Sequence, residues 1–257
     1  MRLLLHGATL GGTPELTDLI EAAGGGFAGV EAPWSSVWAA CRRGVGGFAR
    51  RLARLGLCVV AADLTTAPAI GSGPGAAGSA PMSSSNGDIG AGNLGVEGSV
   101  LRGLAAFGVG APLLLLRVAA RQPPTGDFVA QLARMGEASA ACGLRLTLDV
   151  VDDDGAAAPA AVAEALAAAV PHTGIGLVAD SQAGPLPDRL VAFARLRRVA
   201  DDPDDRAVAW ASALYQGGYR GYVSVVAPPP RGRVEDGLAA AARGLRFAQG
   251  VLRRAGI

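Results

Sequence analysis

A set of polar side chains stands at the ends of short β-rich runs, where it could act on a ligand. His6 closes LLLH, Glu31 closes FAGVE, Asp63 closes LCVVAAD and Asp180 closes GLVAD. Arg117 follows LLLL, Asp149 lies in LRLTLDV, and Arg198 lies in ARLRRVA. Carboxylate and imidazole groups can take a proton from carbon next to a carbonyl. A guanidinium can stabilise the enolate that forms, or hold a substrate carboxylate or phosphate as a planar fork. Asp149, His6 and Arg198 are the expected catalytic groups. Glu31, Trp34, Asp63, Arg117 and Asp180 are the expected substrate contacts, with Trp34 able to wall an apolar pocket.

Composition removes several chemistries. The 257 residues contain no lysine, all 23 basic residues being arginine, so Schiff-base and pyridoxal-phosphate mechanisms are excluded. Cys41, Cys58 and Cys142 are far apart and read as reduced thiols, and with His only at 6 and 172 no closed Cys/His zinc site has its usual spacing. A net charge of +1 gives no case for nucleic acid or an acidic membrane surface. No apolar run has the length of a membrane span, and MRLLLHGATLGG is too short to be a signal-peptide core. A cytoplasmic protein is expected.

Positioning those side chains requires an ordered scaffold. Candidate strands at 3–6, 27–31, 57–63, 112–118, 144–150, 174–180, 195–200 and 220–226 alternate with Ala-rich helical runs. Thr13 and Pro14 are expected to open the first helix. Phe48, Leu52 and Leu55 mark a face of a later one, a short helix is expected near 186–194, and Leu238, Leu245 and Leu252 mark the last. The alternation predicts a single (β/α)8 barrel over residues 1–257, with catalytic groups at the C-terminal ends of its strands. A doubly wound sheet is the weaker alternative, because no Gly-rich phosphate fingerprint follows the first strand. The Gly/Ser/Pro-rich segment 65–95 reads as a lid or as disorder.

With the strands placed, four motifs resemble the xylose isomerase-like barrels: FAGVE, ACGLRLTLD, GLVAD and GYRGYVSV. These are the sugar isomerases, epimerases and dehydratases that share a fold with endonuclease IV. The resemblance implies a divalent cation held by a glutamate on strand five, an aspartate on strand six, a histidine on strand seven and a glutamate on strand eight. Carried over residue by residue, those positions fall on Asp149, Asp180, Arg198 and Val226, and a second histidine falls on Ala183. The implied site is degenerate: two carboxylates face a guanidinium that would repel a metal. No cofactor is therefore expected, with Mg²⁺ or Mn²⁺ held only weakly by Asp149 and Asp180.

The functional expectation is a metal-independent isomerase or lyase that moves a proton next to a carbonyl in dehydration, tautomerisation or cyclisation. Two-base epimerisation is disfavoured because the second base would be Val226. Valines and prolines at the mouth suggest a substrate less polar than a free sugar, such as a biosynthetic intermediate. Two alternatives stand beside this: a non-catalytic barrel that binds a metabolite or partner protein, and a divalent-metal sugar isomerase with a reduced ligand set. Bland roles remain for the same residues, since Glu31 and Asp63 could cap loops and Arg117 and Arg198 could be structural ion pairs. His172 and the acidic runs at 152–154 and 201–205 read as structural or solvated. The expected partner is a small molecule, with no nucleic acid and no membrane, and a homodimer is admitted.

Overall fold

In the computed structural model, eight parallel strands close on themselves in sequence order. The structure describes residues 1–10, 14–65, 113–119, 126–151, 168, 176–182, 191–198, 202–227 and 236–257. The expected loop beyond Thr65, His172, Ala183, most of the helix expected near 186–194 and the side chains of Trp34 and Asp63 lie outside the described residues.

The strands are β1 (Arg2–His6), β2 (Gly29–Pro33), β3 (Cys58–Thr65), β4 (Leu113–Ala119), β5 (Arg145–Val151), β6 (Gly176–Asp180), β7 (Val191–Arg197) and β8 (Tyr222–Val226). β1 pairs with β8 through Leu4 and Ser224, which closes the (β/α)8 barrel the alternation predicts. The helices are α1 (Leu16–Ala23), α2 (Trp34–Arg43), α3 (Val45–Leu55), α4 (Gly126–Ala141), α5 (Asp205–Gln216) and α6 (Gly237–Arg254). Among the described residues, no helix is long and apolar enough to cross a membrane.

Alternation along each strand separates two cores. Leu5, Val30, Leu116, Leu148, Leu196 and Val225 point outward and pack with the helices in the larger one. Leu4, Cys58, Leu113, Leu115, Val178 and Phe193 point inward and form an apolar floor inside the barrel. Burying each large aliphatic or aromatic side chain there contributes roughly 1.5–3 kcal/mol. Close strand approach sets one residue type outright. A Cβ on Gly29 would lie 2.2 Å from the Cys58 carbonyl oxygen, so β2 can pass β3 only with glycine at that point.

Several helical expectations change in detail. α1 begins at Leu16 with Glu15 at its N-cap and no side-chain cap, downstream of Thr13 and Pro14. α5 does carry a side-chain cap, with the Ala207 amide donating to Asp204 Oδ1 at 2.6 Å. Leu55 and Leu238 are exposed rather than buried. α6 packs instead through Ala240, Ala241, Gly244, Phe247, Ala248 and Val251. Small residues win on that face because the helix lies close to the barrel: a Cβ on Gly244 would meet the Ala227 Cβ at 3.1 Å.

The largest correction concerns β7. The expected strand at 195–200 in fact spans Val191–Arg197, so residues 191–194, expected to end a helix, are strand. Its sequence VAFARLR places Phe193 in the apolar floor and Arg195, two residues on, fully buried above it. Polar residues inside a strand look like a strand end in sequence, and Arg195 and Arg197 have that effect here.

Candidate functional site

Above the apolar floor, polar side chains from neighbouring strands replace the hydrophobic ones. Strand register fixes their order: His6 lies opposite Glu31, Arg117 opposite Asp149, Asp180 opposite Arg195, and Arg197 opposite Val226. All lie towards the C-terminal ends of parallel strands, the end at which barrel enzymes build their sites.

Arg195 is the centre of the group. Its side chain is 0% exposed, and it spans the barrel interior to carboxylates on two other strands. Its Nη2 donates to Glu31 Oε1 at 2.5 Å and its Nη1 donates to Asp149 Oδ2 at 2.6 Å. A guanidinium removed from water this completely is tolerable only when such partners replace its hydration. Burial would push its pKa down, but Glu31 and Asp149 override that and raise it, so it stays charged. Burial would likewise raise the Glu31 carboxyl, but Arg195 and His6 outweigh it and hold Glu31 well below the usual carboxylate range. The second oxygen of Glu31, Oε2, is buried and, among the described residues, accepts no hydrogen bond.

His6 is oriented from both sides. Its Nδ1 accepts from the Ala8 amide at 3.0 Å. In the neutral ring that puts the proton on Nε2, which faces Glu31 Oε1 at 3.4 Å. Both ring nitrogens are thus committed to the protein, which suits a residue that positions Glu31 better than one that takes a proton from a ligand.

Arg117 and Arg197 sit nearer the opening, their side chains 28% and 27% exposed. Arg117 approaches Asp149 Oδ2 at 3.4 Å through Nε and Nη2. Arg197 donates from Nε to Asp180 Oδ2 at 2.6 Å, while Asp180 Oδ1 accepts from the Gln182 amide at 3.0 Å. The rim between β8 and β1 is tied by Thr9, in the short 3-10 turn Gly7–Leu10. Its hydroxyl donates to the Val225 carbonyl and accepts from the Ala227 amide, each at 3.0 Å. Val226, at the strand-eight position of the implied ligand set, is buried and offers no donor.

The structure therefore gathers His6, Glu31, Arg117 and Asp149 around Arg195, with Asp180 on the adjoining strand paired to Arg197. Arg198 is not part of this group. It lies one residue beyond β7, its amide donates to the Val226 carbonyl at 2.8 Å, and burial and nearby Arg243 lower its pKa. The arginines that β7 brings into the barrel are Arg195 and Arg197, two residues apart on one face of the strand. Their signal in the sequence is the alternation Phe193, Arg195, Arg197, which points one way only when the strand starts at Val191.

No family model and no curated protein matches the chain. Solved structures do match in fold. The IolI protein with a bound zinc atom superposes with a TM-score of 0.70 at 14% identity, covering 99% of each chain. A xylose isomerase domain protein from Alicyclobacillus acidocaldarius gives 0.69 at 16%, covering 100% of each. The probable 3-DHS dehydratase AsbF from Bacillus anthracis, involved in petrobactin synthesis, gives 0.60 at 12%, covering 94% of this chain and 98% of that one.

The zinc in IolI overturns the expectation of no cofactor, because this barrel fold does carry a metal in a solved structure. The donors here that would meet such an ion are Glu31, Asp149, Asp180 and His6. Glu31 and Asp149 accept from Arg195, Asp180 accepts from Arg197, and His6 is held by Ala8 and Glu31. Among the described residues, no three His, Cys, Asp or Glu side chains are grouped to hold a metal ion. As arranged, this donor set does not fit one.

Proposed function

Since the chain has the fold of the xylose isomerase-like barrels, we propose that it is an isomerase- or lyase-type enzyme that moves a proton next to a carbonyl of a small metabolite. The observation that carries this reading is the cluster at the C-terminal end of the barrel in which Glu31 and Asp149 bond the buried Arg195 while His6 and Arg117 lie against those two carboxylates. Groups of this kind on several strands, with at least one pKa strongly displaced, are what acid/base sites require.

Within that reading each residue takes a role from its position. Asp149 is the proton acceptor, since it lies between the buried Arg195 and the partly exposed Arg117. Arg117 faces the opening and holds the carbonyl oxygen, or an acidic group of the substrate, as negative charge develops. Arg195 touches no ligand; it holds Glu31 and Asp149 in place and keeps Glu31 ionised. His6 positions Glu31. With Val226 at strand eight there is no carboxylate for a second base there, which favours elimination or tautomerisation over two-base inversion.

A second reading has its own support. Glu31, Asp149 and Asp180 each already accept from a guanidinium, as in a barrel whose ion pairs serve stability and whose mouth only binds a metabolite. Deuterium exchange separates the two. Small keto acids, ketoses and their dehydration products are incubated with the protein in D₂O and followed by proton NMR. Loss of the signal from carbon next to the carbonyl, abolished in Asp149→Asn, supports the enzyme. Ligand binding without exchange supports the binding barrel, and exchange that survives Asp149→Asn removes Asp149 from the proposal.

A further inference from the structure

We infer that Arg197 binds the carboxylate of a small keto acid, which makes the substrate an acid and leaves Arg117 with the carbonyl oxygen. The inference rests on the proposed reading for its place in a reaction, and on the geometry of Arg197 for the binding. Arg197 ends β7, two residues beyond Arg195, a rise of about 6.6 Å towards the opening. Its backbone is fixed there: its amide donates to Ser181 Oγ at 2.9 Å, and the Ser181 amide donates to the Arg195 carbonyl at 2.9 Å. Its side chain is fixed along one edge, where Nε donates to Asp180 Oδ2 at 2.6 Å. Asp180 is itself anchored, since its Oδ1 accepts from the Gln182 amide at 3.0 Å.

That bond to Asp180 uses Nε alone. Among the described residues Nη1 and Nη2 of Arg197 have no hydrogen-bond partner, and the side chain is partly exposed. These two groups form the end-on fork of the guanidinium, whose spacing matches the two oxygens of a carboxylate. Arg195 offers no such fork, because its Nη1 and Nη2 are taken by Asp149 and Glu31. Charge favours a singly charged acid. The carboxylates Glu31, Asp149 and Asp180 face the guanidiniums Arg117, Arg195 and Arg197. A carboxylate adds one negative charge to that balanced group, a phosphate monoester about two. Val226, opposite Arg197 on β8, is buried and supplies no donor for a larger anion. Arg117 leans from β4 onto Asp149 of β5, and Arg197 leans from β7 onto Asp180 of β6. Since β5 and β6 are neighbours, the two guanidiniums are directed over adjacent strands, within reach of one small molecule.

Isothermal titration calorimetry with pyruvate, levulinate, the amide of each and inorganic phosphate reads binding without reaction. At least one keto acid is expected to bind about tenfold or more tighter than its amide, and tighter than phosphate. Arg197→Gln should remove that preference and leave the amide's affinity unchanged. Arg197→Lys, which keeps the charge without the fork, should retain part of it. Because Arg197→Gln strands the buried Asp180, the double variant Arg197→Gln, Asp180→Asn is made beside it and should behave alike. A readout that needs no variant is phenylglyoxal labelling mapped by mass spectrometry: the keto acid should protect Arg197 and its amide should not. No preference for acid over amide, tighter phosphate binding, a preference that survives Arg197→Gln, or equal loss of amide binding overturns the inference. Deuterium exchange keeps the two readings apart. Exchange that is indifferent to Arg197→Gln removes this inference and leaves the reaction, whereas acid binding that needs Arg197 without any exchange removes the reaction and leaves an acid-binding barrel.

Discussion

Replacing Arg195 by methionine keeps most of its volume and removes its charge. Glu31 and Asp149, 1% and 2% exposed, would then lose the guanidinium that bonds both, leaving Asp149, among the described residues, only Arg117 at 3.4 Å. Breaking a buried ion pair in this way costs about 3–5 kcal/mol. For a chain of this size each kcal/mol lowers Tm by roughly 2–4 °C, so a fall of about 6–20 °C is expected. Against a domain stability of about 5–15 kcal/mol, the variant would be marginal. Urea unfolding followed by circular dichroism gives the free energy directly. The triple variant Glu31→Leu, Arg195→Met, Asp149→Leu supplies the control: with no fully buried charge left to strand, and Arg117 28% exposed to water, it should recover most of the loss. A single variant within about 1 kcal/mol of the parent would refute the reasoning, and so would a triple variant no more stable than the single one.

Two other outcomes follow from the same geometry. Glu31 is held below its ordinary pKa, so it contributes stability above the unfolded value of about 4.3 and loses it as pH falls further. Urea unfolding between pH 5 and pH 2 should show a decline of at most about 1.4 kcal/mol per pH unit from this group, and Glu31→Gln should flatten it; an unchanged slope would remove Glu31 from the account. Gly29→Ala should cost about 3 kcal/mol or more, because the added carbon meets backbone at 2.2 Å and displaces the strand that carries Glu31. Parental stability in that variant would show that β2 and β3 are not paired in this register.

The barrel was legible because its signals are local and repeat. Short runs such as LLLH, GLVAD and YVSVV end close to where β1, β6 and β8 end. The site was legible only in part, because what assembles it is not local. Nothing in the sequence ties Arg195 to Glu31, 164 residues away, or to Asp149, 46 residues away. Those distances depend on closure of the barrel, which brings β2, β5 and β7 onto one axis. Arginine adjacent to arginine compounded the difficulty: in ARLRR the pattern assigns Arg195 and Arg198 to opposite faces, and a shift in the strand start exchanges the two. The cofactor expectation failed for another reason. A missing ligand type in one chain says nothing about what ions the fold holds elsewhere, as the zinc of IolI shows.

The Thr9 hydroxyl bridges residues 216 and 218 positions away in sequence. It is a clasp across the seam where the chain's first strand meets its last. During synthesis β1 is made first and waits with one edge unpaired until residues 222–227 leave the ribosome. The group of side chains around His6 is thus among the last parts of the molecule to come together, and contacts this distant in sequence form slowly. Any chain cut short of β8 would carry every ionisable group of the site and lack the barrel that makes them meet.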